Sequence, residues 1–153
     1  MIRVAHQKAF TMVELIFVIV IIGILAAISI PKLAATRDDA EVSSTADAVA
    51  TATNEIVSKA LSTGQSSSDL PALSQVVTSL IAQGKATFSN GVLSIKMKSV
   101  SDCLKMTVIS SDTDMNLTLS YGDAGTDKVC LSLQQTIDVT DYSIPLRGRK
   151  IKI

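Results

Sequence analysis

The chain has 153 residues, with 14 basic and 14 acidic side chains and 47% hydrophobic content. That length allows one domain, or one domain plus a tail. Zero net charge argues against a nucleic-acid binder held by phosphate neutralisation, and two cysteines with one histidine are too few ligands for a metal centre. The neutral total hides an uneven distribution. Residues 33–146 carry 7 basic against 13 acidic side chains, and the last seven residues hold Arg147, Arg149, Lys150 and Lys152 with no acid.

Taken in chain order, the first element is an apolar run. From Leu15 to Ile30 there are sixteen residues with one Gly, one Ser and no charge, and the run extends back to Phe10. As a helix the 21 residues span about 31 Å, one hydrocarbon thickness. With no polar face, this reads as a single membrane span. Arg3 and Lys8 precede it, so the N-terminus is expected on the cytoplasmic side and the body on the other. The run is too long for the h-region of a cleaved secretory signal, and Leu25-Ala26-Ala27 is a poor cleavage site. Glu14 breaks the pattern. A carboxylate at bilayer depth costs about 2.5–3.5 kcal/mol on insertion scales. The sequence offers it no partner within its own span, which points to a partner on another chain.

Lys8-Ala9-Phe10-Thr11-Met12-Val13-Glu14-Leu15, followed by the apolar run and Pro31, resembles the N-terminus of type IV pilins and type II secretion pseudopilins. The resemblance implies removal of a short basic leader by a membrane prepilin peptidase, between Ala9 and Phe10, with N-methylation of Phe10. The family usually has Gly before the cut; Ala9 is the departure here. The resemblance makes Glu14 the assembly carboxylate, and Gly23 and Pro31 the residues that loosen the helix. It implies other pilin-like subunits, the peptidase, an inner-membrane assembly platform and the membrane as partners, with no nucleic acid contacted directly and no cofactor. In a bundle, the Phe10 amine and the Glu14 carboxylate can pair between neighbouring chains. Such an interface is heterologous and does not close, so repetition gives a fibre.

Pro31 is expected to interrupt or kink the helix. Helical signal resumes at once: Ala35, Val42, Ala46, Val49, Thr53, Ile56 and Ala60 form a stripe to about residue 62, before a loop at Gly64-Gln65-Ser66-Ser67-Ser68. Asp69, as N-cap, and Pro71 open a short helix over about 69–83 with an apolar face of Leu70, Leu73, Val77, Leu80 and Ile81. The period then changes to two. Asn90-Gly91 is a hairpin signal. Alternating segments at Leu93–Met97, Leu104–Val108, Leu117–Tyr121 and Val129–Leu133 predict four strands of an antiparallel meander within about 86–153. The expected fold is α+β: a long N-terminal transmembrane helix packed on a small antiparallel sheet, which is also the pilin-like architecture. The expected layout is a leader at 1–9, a transmembrane assembly helix at 10–31 and a periplasmic or extracellular domain at 32–153.

Cys103 and Cys130 fall on the non-cytoplasmic side, where disulfides persist. Strand parity places both on the outer face of adjacent strands, so a disulfide is expected, with two free buried thiols as the alternative. Asp112-Thr113-Asp114 begins like a calcium loop but lacks the Gly and the closing Glu. Asp123 and Asp127 form a second weak cluster, and both clusters read better as turns. Asn116 stands in an Asn-x-Thr triplet with Asp114 two places before it, a glycosylation pattern in an expected turn. No catalytic motif appears, so the chain is not expected to be an enzyme. The expected function is a structural subunit of a membrane-anchored helical filament, either a type II secretion pseudopilus or a type IV pilus. The alternative from another class is a signal-anchored, monomeric periplasmic binding module.

Overall fold

The computed structural model describes residues 10–63, 67–110, 114–140 and 143–146, with the side chains of Pro31 and Ser110 outside that description. The leader at 1–9, the expected loop at 64–66, Asp112, Thr113 and the basic C-terminal residues 147–153 therefore lie outside the described residues. The chain divides into two compact units between Asp38 and Asp39.

Helix α1 runs from Met12 to Thr63 and carries both the apolar run and the small-residue stripe. It is unbroken at Pro31, where an interruption was expected. Proline removes one backbone bond, but Lys32, Leu33, Ala34 and Ala35 are strong helix formers and continue the ladder. In the first unit every large apolar residue from Phe10 to Leu33 is at least 47% exposed. The one hydroxyl between Leu15 and Ile30, on Ser29, donates to the Leu25 carbonyl at 2.8 Å, so it adds no free polar group to that surface.

The second unit folds around the later part of α1. Val42, Thr45, Val49, Ala52, Thr53, Ile56 and Ala60 are its buried face. Ala35 is exposed and Ala46 half-buried, so the expected stripe is right in period and too long at its start. Buried Thr53 donates to the Val49 carbonyl at 2.8 Å.

Five strands form an antiparallel meander in the order β1 (Ala86–Ser89), β2 (Val92–Met97), β3 (Val100–Ser110), β4 (Met115–Tyr121) and β5 (Ser143–Pro145). The β1–β2 turn is Asn90-Gly91, both at positive φ, the pairing that a two-residue type I′ loop requires. Register then puts apolar residues opposite one another on one face: Leu93 against Met106, Ile95 against Leu104, Met106 against Leu119 and Val108 against Leu117. All of these are buried in one cluster with Val49, Ile56, Val77 and Leu80 of the helices. Each such side chain contributes about 1.5–3 kcal/mol on burial. The opposite face carries Ser94, Lys105, Thr107 and Thr118, half-buried. The fold is α+β, a long N-terminal helix with an antiparallel sheet, in the pilin-like arrangement.

Three elements differ from the sequence expectation. The single helix over 69–83 is two, α2 (Leu70–Leu73) and α3 (Gln75–Ala82). Ser74 between them is extended, at φ −140° and ψ 129°, and its hydroxyl accepts from the Val77 amide at 3.1 Å. Serine in that geometry caps α3 better than it would continue α2. Asp69, the expected cap, makes no side-chain capping bond.

The expected strand at Val129–Leu133 is a helix, α4 (Lys128–Thr136). Asp127 caps it, with Oδ1 accepting from the amides of Val129 at 2.9 Å and Cys130 at 3.0 Å. The strand that completes the sheet is instead β5, where Leu117 pairs with Ile144.

Candidate functional site

The N-terminus of α1 is built by the side chains of two residues of the motif, Thr11 and Glu14. Thr11 is the residue before the helix. Its amide N–H donates to Glu14 Oε2 at 2.8 Å, its hydroxyl donates to the same oxygen at 2.7 Å, and the Glu14 amide donates to the Thr11 hydroxyl oxygen at 3.3 Å. This is a capping box, in which residue and helix end satisfy one another's orphan donors. It corrects the expectation that Glu14 lacks a partner within its own span. Thr11-Met12-Val13-Glu14 is the S/T-x-x-E pattern of such a box, and that signal is legible in the sequence. The box uses no atom of residues 1–9, so it is complete in a chain that begins at Phe10. Phe10 is 84% exposed at the tip.

Glu14 is the sole ionisable side chain between Phe10 and Ile30. Around it lies an apolar surface that the other described residues leave uncovered. Gly23 sits within α1, and a Cβ built there meets nothing within 4 Å. Glycine costs a helix interior about 1 kcal/mol relative to alanine, and no packing among the described residues offsets that cost.

The sequence comparisons bear on this same segment. A family model described as a prokaryotic N-terminal methylation motif matches residues 4–30. The N-terminus is similar to that of prepilin-like proteins. That motif is the hallmark of type IV pilin and pseudopilin precursors. The matched residues include the Ala9–Phe10 junction, Glu14, Gly23 and the apolar run. No curated protein and no solved structure matches the chain. The motif and the long apolar helix are compatible with membrane anchoring.

The other sites of the chain lie in its second unit. Cys103 of β3 and Cys130 of α4 form a disulfide with Cα atoms 5.6 Å apart. Cys103 does leave the sheet on the face opposite Leu104, but its partner is on a helix rather than on an adjacent strand, and both residues are fully buried. The Gln134 side-chain amide reinforces this docking, donating to the carbonyls of Cys103 at 2.8 Å and Gly122 at 3.0 Å. The Tyr121 hydroxyl donates to the Ile137 carbonyl at 2.9 Å and ties down the segment after α4. The bond closes a separation of 27 residues. Chain entropy predicts that a Cys103→Ala/Cys130→Ala variant loses about 3–4 kcal/mol of stability. Urea unfolding of the full chain in detergent checks this value against the oxidised parent.

Two carboxylates act as helix caps. Glu55 of α1 accepts from the Ser74 hydroxyl at 2.7 Å and the Val76 amide at 3.2 Å, which fastens the start of α3 to α1. The Ser74 hydroxyl bond is the main cause of a Glu55 pKa below its ordinary value. The Cys130 amide does the same for Asp127, with help from the Ser99 hydroxyl at 3.0 Å. A lowered folded-state pKa contributes stability above the unfolded value and loses it as pH falls. Stability is therefore expected to decline from about pH 4 downward. Glu55→Gln and Asp127→Asn should each flatten that acid limb in thermal melts run from pH 7 to pH 3.

Asp127 is occupied as a cap, and Asp123 accepts from the Gly125 amide at 2.9 Å in a turn. Among the described residues no group of three His, Cys, Asp or Glu side chains is placed to hold a metal. Asn116 corrects another expectation. It lies within β4, opposite Ile109 on one side and Pro145 on the other, and is half-buried rather than displayed in a turn. Sheet pairing on both edges fixes the backbone around it, which counts against access by a glycosyltransferase.

Proposed function

We propose that this chain is a structural subunit of a membrane-anchored helical filament, of type II pseudopilus or type IV pilus kind. It is made with a leader at 1–9 and cleaved between Ala9 and Phe10, with Phe10 then N-methylated. Residues 10–31 form the transmembrane and assembly segment, and 32–153 form the domain on the non-cytoplasmic side. The subunit resides in a bacterial inner membrane until other pilin-like subunits and an assembly platform draw it into the fibre.

The observation that carries this reading is Glu14: one carboxylate, held at the helix end by Thr11, within an otherwise apolar and wholly uncovered helix surface. In a solitary anchor an uncharged Gln would cap the helix as well as Glu14 does, without the cost of a carboxylate at that depth. A bundle does, because each Phe10 amine is a cation that needs a counter-charge in hydrocarbon. Gly23 supports the same reading, since close approach of a neighbouring helix favours a residue without a side chain.

Shearing of intact cells decides between a subunit and a monomeric anchored module. A filament subunit is expected in the sheared fibre fraction, whereas a module that stays wholly with the membrane overturns the proposal. Processing is read by intact mass. The native protein is expected to begin at Phe10 and to carry one methyl group, and a mature form that keeps residues 1–9 rules the cleavage out.

A further inference from the structure

A sheet leaves the outward backbone groups of its two edge strands unpaired, and a fold either blunts such an edge or offers it to another strand. The edges of this sheet are β1 and β5. Ile144 pairs with Leu117 and the Leu146 amide donates to the Met115 carbonyl at 2.7 Å, so Ser143 and Pro145 turn their backbone outward. Pro145 has no N–H to offer there, and the strand is three residues long. The β5 edge is therefore blunted.

The β1 edge has no such guard. Ser89 and Val92 flank the two-residue turn, which makes them a hydrogen-bonded pair, and bonded pairs recur at alternate residues. The Lys96 amide donates to the Lys85 carbonyl at 2.8 Å, in the same phase. Ala86 and Phe88 therefore aim their N–H and C=O groups away from β2, and among the described residues no other backbone group takes them up. Ala86–Ser89 contains neither proline nor a charged side chain. On the core side of this edge Ala86 is buried, while Phe88 packs against the core and is only partly covered.

The sequence supplies a segment of matching length and phase. Lys150-Ile151-Lys152-Ile153 alternates with period two, and its apolar residues are β-branched. It follows β5, at the far edge of the sheet from β1. To lie beside β1 of its own chain, Lys150 would have to stand five strand spacings from β5, about 24 Å. The four residues from Arg147 to Lys150 reach at most about 14 Å beyond Leu146. The pairing is therefore open between copies and closed within one. We propose that, in the filament, residues 150–153 of one copy add as an antiparallel strand to the β1 edge of a second copy, with Ile151 opposite Phe88 and Ile153 opposite Ala86. This rests on the filament reading given above. In that register the outward groups of Phe88 and Ala86 bond to Ile151 and Ile153, and Ile151 completes the cover of Phe88. Lys150 and Lys152 fall beside Ser89 and Thr87, which are exposed. The antiparallel direction also keeps Arg147 and Arg149 at the Asn90-Gly91 end, away from Lys85, whereas a parallel strand would set Arg149 against it. Donor and acceptor are different surfaces on opposite edges, so the contact is heterologous and repeats without closing.

Cross-linking tests the register. Thr87 and Lys152 would face one another as a non-hydrogen-bonded pair with Cα atoms about 4.5 Å apart, within disulfide reach. Cys103 and Cys130 are buried in their own bond and take no part. Oxidised sheared fibres of Thr87→Cys/Lys152→Cys are expected to give a ladder of covalent multimers that collapses on reduction. Thr87→Cys/Lys150→Cys, two residues out of register on the same face, is expected to give at least about tenfold less. Fibres without a ladder, or equal ladders from both variants, overturn the strand addition and leave the filament reading standing. Ile151→Asp is the second probe. It is expected to lower fibre yield about tenfold with subunit level in the membrane unchanged, and a parental yield overturns the strand addition. A parent chain that makes no fibres at all overturns the filament reading and takes this contact with it.

Discussion

Replacing Glu14 with Gln is expected to lower filament yield at least about tenfold, equivalent to 1.4 kcal/mol per contact, while leaving the folded subunit and its membrane level unchanged. Glutamine keeps the acceptor that Thr11 uses, because Glu and Gln serve equally at the third helical position of a capping box. What it removes is the charge. Truncating one partner of a buried, hydrogen-bonded charge pair costs about 2–5 kcal/mol, much of it from the opposite charge left unpaired. In the proposed filament that opposite charge is the amine of a neighbouring Phe10. Glu14→Ala removes both functions, and loss of the box should also fray the first turn by about 1 kcal/mol. The contrast between the two variants separates capping from charge pairing. Fibre recovery after shearing is the measurement, and parental yield from Glu14→Gln would refute the charge-pairing role.

Gly122→Ala is expected to be the most damaging single methyl group in the second unit. A Cβ built on Gly122 lies 1.4 Å from the Asp102 carbonyl oxygen and 2.6 Å from its carbonyl carbon. Those are backbone atoms of β3, so no side chain can rotate away to make room. The Gly122 amide donates to the Cys103 carbonyl at 3.0 Å, and its own carbonyl accepts from Gln134. Moving it apart would break both bonds and strain the disulfide-linked seam between β3 and α4. The loss should exceed about 4 kcal/mol, in the range reserved for overpacking and broken buried networks. Loss of the cooperative thermal transition, or an unfolding midpoint far below the parent, is the expected result. A Gly91→Ala control meets nothing within 4 Å and should show only the cost of its positive φ. A parental melt from Gly122→Ala would contradict the packing described.

The sequence determined what depends on local chemistry. A 21-residue run that is apolar but for Thr11, Glu14 and Ser29 needs a helix and an apolar surrounding, whatever the body does. The Asn90-Gly91 turn fixes its own hairpin because few residues tolerate two successive positive φ values. The alternations at Leu93–Met97, Leu104–Val108 and Leu117–Leu119 mark which side of each strand is buried, and the register keeps that marking. Tertiary structure decided what local pattern left degenerate. Val129 and Leu133 are four apart, a spacing that satisfies a two-residue and a 3.6-residue period alike. Leu131 and Cys130 break the tie. As a strand, the segment would bury Leu131 and turn Cys130 outward; as a helix it exposes Leu131 and buries Cys130 against Cys103. The helix prevails because Asp127 caps it and because the disulfide and Gln134 anchor it to β3, contacts made across 27 and 31 residues. Gly122 belongs to the same class. Its need for a bare Cα comes from the backbone of Asp102, twenty positions away, and no window of sequence around Gly122 carries that information.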